Sequence, residues 1–231
     1  MRPQTEVLLN FSADFTRRTA GQLAAGRTGE AGVSRMDATC GGPWWRATAM
    51  EARRSSATGN FEPAAEAVAA GYAQRMASAG SMLQVTVPVR RRLHHQPVYH
   101  LVFLTRSKYG LWVFADALGT ARQVWLRAIG KLDDDDEFQP ALFSSSDSMQ
   151  WLIDSEKERA QGIIEANLRS LLGSAGTFRL VDRTPAVFGE AYGIATESTV
   201  TAAIRALETS GELLIRQAGK RVREHIVGPA V

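Results

Sequence analysis

The sequence has little that could cross-link the chain or anchor it to a membrane. Its 231 residues include one cysteine, Cys40, which excludes an intrachain disulfide and a zinc site built from several thiolates. No segment approaches the roughly 20 consecutive apolar residues that span a bilayer. The apolar stretch at residues 7–9 is too short for the core of a signal peptide. We therefore expect a cytoplasmic protein without membrane contact.

The composition that is present is that of an ordinary globular protein. Hydrophobic residues make up 45% of the chain and charged residues 22%, which excludes collagen-like, disordered and coiled-coil classes. The length indicates one large domain or two small ones. The 27 basic residues exceed the 24 acidic ones by three, and the sequence pI is about 9.3. This mild excess permits an acidic partner such as nucleic acid without requiring one.

The first part of the chain alternates between strand and helix patterns. The order predicts a partial α/β domain over residues 1–132, within an overall α/β (α+β) fold class. Its predicted elements are a strand at 5–11, helices at 13–25, 46–54 and 63–79, strands at 82–89 and 98–105, and a helix at 111–129. The acidic and serine-rich segment 133–150 follows, and we interpret it as a solvated linker rather than a metal site.

Residues 151–231 carry a sharper pattern. A helix at 155–172 and a strand at 178–181 precede a short helix that begins at Thr184-Pro185. Thr196 then caps a third helix, Gly211 ends it, and strands at 213–216 and 221–227 flank a three-residue loop. The apolar stripe of the third helix is Val200, Ala203, Ile204 and Leu207. This order predicts a winged helix-turn-helix domain.

A winged helix of this kind predicts duplex DNA as partner, with contacts to another protein as the alternative. Hydroxyl groups at the start of the third helix can bind phosphate together with free backbone N–H groups, and an arginine further along can reach phosphate or guanine. Basic residues of the wing and of the loop between the two middle strands add phosphate contacts. The candidate residues are Ser198, Thr199, Thr201, Arg205, Arg216, Lys220, Arg221, Arg223, Arg90, Arg91 and Arg92.

Three segments resemble one family. Residues 97–106 with Gly110, the EVLLNF strand at 6–11, and Trp44-Trp45-Arg46 are similar to the three-Cys-motif partner (TcmP) proteins, which end in a GMT-like winged helix. The resemblance implies that the first domain is an incomplete Rossmann or methyltransferase-like sheet. It also implies a DNA-binding accessory role beside a radical-SAM-like three-Cys-motif protein, in phage- or DNA-modification-related processing.

The chain departs from that family where a cofactor would bind. The family has a nucleotide-binding half before the Asn-Phe strand, and no Gly-x-Gly-x-x-Gly turn follows a strand in this sequence. We therefore expect no S-adenosylmethionine, no other cofactor and no catalytic residue in this chain alone. The alternative is the C-terminal part of a split or truncated S-adenosylmethionine-dependent methyltransferase-like enzyme that is inactive by itself.

The Asn10-Phe11 pair has two interpretations at the level of sequence. Asn10 and Phe11 stand where amino-methyltransferases place a base-binding motif, but its two prolines are missing, so the pair is a vestigial base-motif candidate. The other interpretation is that Asn10 caps the next helix.

The four histidines complete no metal-ligand spacing, and we expect no metal. An incomplete sheet would expose residues 7–11, which favours a homo-oligomer.

Overall fold

The computed structural model describes residues 5–57, 59–136 and 144–230. The chain divides into two units between Ser107 and Lys108. Both units combine helices with a small sheet, which confirms the α+β class. None of the helices in the described ranges combines the length and apolar character needed to cross a membrane.

Unit 1 ends at Ser107 and builds its sheet from three antiparallel strands in the order β1-β3-β2. Leu9 lies opposite Val102, and Val85 opposite Phe103. Because β1 and β2 both run antiparallel to β3, they run in the same direction on either side of it. The elements are β1 (Val7–Ser12), α1 (Ala13–Ala24), α2 (Ala31–Cys40), α3 (Trp44–Arg54), α4 (Glu62–Gly80), β2 (Leu83–Val89) and β3 (Tyr99–Thr105).

The core of unit 1 lies between one face of this sheet and its helices. Alternate residues of β1 and β3, among them Phe11 and Val102, pack into the same cluster as Trp45 of α3. Helix α4 contributes mainly alanines, whose small side chains let the helix approach its neighbours closely. Strand β1 is at the sheet edge, and its Leu8 is 56% exposed. The predicted exposed strand is therefore present, and self-association through it stays a prediction.

The strand directions bear on the predicted Rossmann-like sheet. A Rossmann-type sheet is mostly parallel. In unit 1 every described strand pair is antiparallel. The coarse α+β description therefore holds, while the methyltransferase-like interpretation stays a prediction from the resemblance.

Unit 2 starts at Lys108 and has a second three-stranded antiparallel sheet, in the order β4-β6-β5. Short 3-10 turns separate several of its elements. Its core joins the inner sides of α5, α6 and α8 to the inner face of this sheet. The elements are α5 (Lys108–Asp136), α6 (Ser145–Ala175), β4 (Phe178–Arg179), α7 (Thr184–Phe188), α8 (Glu197–Thr209), β5 (Leu213–Gln217) and β6 (Ile226–Pro229).

The division of the chain differs from the predicted domains 1–132 and 151–231. Helix α5 belongs to unit 2, because Trp112 is fully buried in the core of that unit and its ring lies 5.0 Å from the ring of Phe188. Leu111 also accepts a hydrogen bond from the Tyr192 hydroxyl, at 2.8 Å. The apolar periodicity of α5 identified a helix, but it does not show which unit the helix packs against.

The acidic segment is helical at both of its described ends rather than a linker. Helix α5 runs through Asp136, and α6 begins at Ser145; residues 137–143 of the predicted linker lie outside the described residues. Asp134 accepts hydrogen bonds from the Ser146 hydroxyl and from the backbone N–H groups of Ser145 and Ser146. These bonds, chiefly that from the Ser146 side chain, lower the pKa of Asp134. The carboxylate thus caps the start of α6.

Candidate nucleic-acid interface

Helix α8 has the start, the buried side and the end that its sequence predicts. Thr196 is extended and forms a capping box with Thr199, whose Oγ1 accepts a hydrogen bond from the Thr196 N–H at 3.2 Å. Gly211 adopts a φ of 72° just after the helix, where a side chain would be strained. The predicted stripe is confirmed, since all four members are buried: Val200, Ala203, Ile204 and Leu207.

One of the residues of α8 that were predicted to contact DNA is not on the exposed surface of the helix. Thr199 is only 1% exposed, because its side chain is used in the capping box, so it is not available to a ligand. Ser198 and Arg205 are exposed, and Thr201 is half-buried with its hydroxyl donating to the Glu197 carbonyl at 2.9 Å. At spacings of three and four residues these three side chains lie on one side of the helix. That side also carries Ala202 and is therefore lined by small residues apart from Arg205.

Groups at the N-terminal end of α8 bind other parts of unit 2, through contacts that the sequence did not predict. The Glu197 N–H donates to Asp116 of α5 at 2.7 Å. The Glu197 carboxylate accepts hydrogen bonds from Trp112 Nε1 at 3.0 Å and from Arg223 Nη1 at 2.9 Å. The expectation that free N–H groups here bind phosphate is therefore wrong for Glu197, since a carboxylate already occupies its N–H. These contacts join α5, α8 and the loop between β5 and β6.

That loop, residues 218–225, is the wing loop, and it is not the short turn that was predicted. Residues 222–224 form a 3-10 turn instead of continuing a strand. The Gly219 N–H donates to His225 Nδ1 at 2.9 Å, and the Lys220 N–H donates to Glu224 Oε2 at 3.1 Å. Two side chains thus bend the loop back on itself. Lys220 and Arg221 are exposed at its tip.

The predicted cations of unit 2 fall into two groups. Arg223 is paired with Glu197, whereas Arg216 is exposed and donates a hydrogen bond to the neutral Pro229 carbonyl. Arg205, Lys220 and Arg221 are exposed and make no ion pair within the described part of the chain. Arg223 lies in the 3-10 turn rather than in the predicted strand at 221–227, and its side chain contacts Glu197 of α8.

The basic run in unit 1 is partly neutralised. Arg90 is half-buried, pairs with Glu62 at 2.7 Å and donates to the His95 carbonyl at 2.6 Å. Arg91 is exposed, and Arg92 is half-buried with contacts of its own. The expectation of three arginines available to phosphate is therefore wrong for Arg90, whose charge is already paired. A long-range partner such as Glu62 has no signature in the local sequence.

The vestigial base motif is part of the fold. Phe11 is 7% exposed, and its ring lies 5.0 Å from that of Tyr72, so it belongs to the core of unit 1. Asn10 is exposed within β1, opposite Leu101. The helix cap is Ser12, whose Oγ accepts from the Phe15 N–H at 3.2 Å. The alternative that Asn10 caps the helix is therefore wrong by two residues, and a buried Phe11 ring is not open to a stacked base.

The remaining reactive side chains form no site of their own. Cys40 is buried in the unit 1 core, and burial raises the pKa of its thiol to about 11. Among residues 5–57, 59–136 and 144–230, no three His, Cys, Asp or Glu side chains are arranged to hold a metal ion.

Comparisons of the chain with protein-family models, curated proteins and solved structures find no match. The candidate site therefore depends on geometry alone.

Proposed function

We propose that unit 2 is a winged helix-turn-helix module that binds duplex DNA through the outward side of α8 and the wing loop. The order of elements supports this: α6, β4, α7, α8 and then the β5–β6 hairpin, with β6 paired between β4 and β5. The second and third helices of such a module are α7 and α8, which residues 189–196 connect, with a 3-10 turn at Gly189–Ala191. In this arrangement α8 is the helix that enters the major groove.

The outward side of α8 is the observation that carries the proposal. Its small residues, Ser198, Thr201 and Ala202, allow close approach to base edges, and Arg205 is long enough to reach a guanine or a phosphate. Lys220 and Arg221 extend the same kind of contact to the DNA backbone. Two further contacts are structural in this proposal: Arg223 with Glu197 joins the wing loop to α8, and Asp116 with the Glu197 N–H joins α5 to α8.

Substitution of the exposed cations tests the proposal. In the full chain, Arg205→Ala and the double variant Lys220→Ala/Arg221→Ala should each weaken binding of a fluorescent mixed-sequence duplex by about tenfold, because each removes phosphate or base contacts. Fluorescence anisotropy at fixed ionic strength measures the affinity. The variants should melt like the wild type, since the three side chains are exposed.

Arg159→Ala is the matched control. Arg159 is an exposed arginine on α6, outside the proposed contact set, so its loss lowers the net charge by one, as Arg205→Ala does, without removing a contact. Unchanged duplex affinity in the Arg205 and wing variants, or an equal loss in Arg159→Ala, would contradict the proposal. An accessory role beside a three-Cys-motif protein, and the split-methyltransferase alternative, are proposals from the resemblance alone.

A further inference from the structure

The C-terminal sheet has an outer face that the proposed DNA contacts do not use. Phe178 and Val227 are paired in register and face the core together with residues of α8. Arg179 and Ile226 form the next pair, and because neighbouring strand residues alternate between faces, they lie on the outer face. This face is on the opposite side of the sheet from α8.

A cationic cleft of about 690 Å³ opens on this outer face. Lys108 Nζ lies 3.2 Å from Asp182 Oδ1, so one of the three cations at the cleft is paired. Arg179 and Arg183 are exposed, and neither forms an ion pair with any residue that the structure describes. The lining residues that matter here are Lys108, Thr177, Arg179, Asp182, Arg183 and Ile226. Three positive charges against one negative charge leave a surplus of two beside the cleft.

Gly228 lets two polar side chains lie close to β6 on the same face, and one of them, Arg216, is additional to the lining residues. A Cβ atom at this position would lie 2.6 Å from Thr177 Oγ1 and 3.1 Å from Arg216 Nε. The absence of a side chain therefore lets a hydroxyl group and a further guanidinium approach β6 closely. Thr177 is a lining residue, so the cleft combines a hydroxyl donor with arginine side chains.

We infer that this cleft binds a phosphate group, either of a free phosphate or nucleotide or of a nucleic-acid strand. Arginine guanidinium groups match the oxygens of phosphate with paired N–H donors, and an anion relieves the repulsion between Arg179 and Arg183. The hydroxyl of Thr177 can donate a further hydrogen bond. The inference does not depend on DNA binding by α8, since the lining of the cleft includes none of the residues proposed to contact duplex DNA.

Binding of inorganic phosphate to the full chain, followed by 31P NMR line broadening at fixed ionic strength, tests the inference first. The wild type and Arg205→Ala should broaden the signal equally, whereas Arg179→Ala/Arg183→Ala should reduce the affinity at least tenfold. A labelled single-stranded oligonucleotide forms the second arm and distinguishes a nucleic-acid strand from a free phosphate as the source. Thermal melting checks that the double variant is folded, as expected for two exposed side chains.

The outcomes separate this inference from the proposed function. Loss of phosphate or oligonucleotide binding in the Arg179/Arg183 variant, with binding retained in Arg205→Ala, supports the cleft even if duplex DNA does not bind α8. No binding of either probe by the wild type would overturn the inference. So would equal binding by the wild type and the double variant.

Discussion

Between pH 7 and pH 4, the buried His100 side chain should cost unit 1 about 3 kcal/mol of its free energy of unfolding, and His100→Leu should remove this loss. His100 is 1% exposed on β3, opposite Phe11, and its Nδ1 atom has no hydrogen-bond partner among the residues that the structure describes. Burial, with smaller effects of Arg17 and Arg90, lowers the pKa of His100 from 6.5 to about 4.

The direction of this change in stability follows from the pH at which the folded and the unfolded state each protonate His100. The unfolded chain protonates His100 near pH 6.5, but the folded protein does so only near pH 4. In that window the unfolded state binds more protons, so acid favours unfolding. The contribution of the neutral His100 side chain to the free energy of unfolding is complete above pH 6.5, and it is lost progressively as the pH falls to about 4.

Hydrogen exchange of the β3 amides, read out by mass spectrometry at both pH values, measures the unfolding of unit 1. His100→Phe is a second neutral variant in case leucine fits the site poorly. His94→Gln, which removes an exposed histidine, should keep the wild-type dependence. If His100→Leu and His100→Phe lose as much free energy of unfolding between the two pH values as the wild type does, the account of His100 is wrong.

Gly119→Ala should destabilise unit 2 by at least about 2 kcal/mol, the cost of overpacking a close contact. A Cβ atom at Gly119 would lie 2.4 Å from the Ala195 carbonyl oxygen and 3.0 Å from that of Ile194. Both are backbone atoms of the turn that leads into α8, so relief of the clash requires α5 or that turn to move. For a unit of this size the melting temperature should fall by roughly 8 °C.

Gly162→Ala is the control for Gly119→Ala. Gly162 is also within a helix, but a Cβ atom there would meet no neighbouring atom of the described ranges within 4 Å. Its replacement should therefore leave the melting temperature unchanged or raise it, since alanine favours a helix by up to about 1 kcal/mol over glycine. Calorimetric melting of both variants makes the comparison. Equal stability of Gly119→Ala and the wild type would show that α5 does not pack against the start of α8 as described.

The local features of α8 were predictable from sequence. A capping residue at 196, an apolar stripe at helical spacing and Gly211 after the last turn each depend on residues close together in the chain. Strand β3 was predictable for the same reason, as a run of apolar and β-branched residues. These sequence signals are local, and the structure contains the elements that they predict.

The features that the sequence did not predict depend on residues far apart in the chain. Asp116 and Arg223 both contact Glu197, across 81 and 26 residues, and these contacts decide which groups at α8 remain free. The membership of α5 in unit 2 depends likewise on Trp112 packing against Phe188. The wing loop was mispredicted because the Glu224 and His225 side chains bond its backbone and replace strand pairing.

The salt dependence of duplex binding tests the proposed function most directly. With Arg205, Lys220 and Arg221 each neutralising one phosphate, their joint contribution to the slope of log affinity against log salt is about 2.7, at about 0.9 per contact. The account predicts that Arg205→Ala/Lys220→Ala/Arg221→Ala lowers the wild-type slope by about this amount and that Arg159→Ala leaves it unchanged. A triple variant that binds duplex with the slope of the wild type would contradict it.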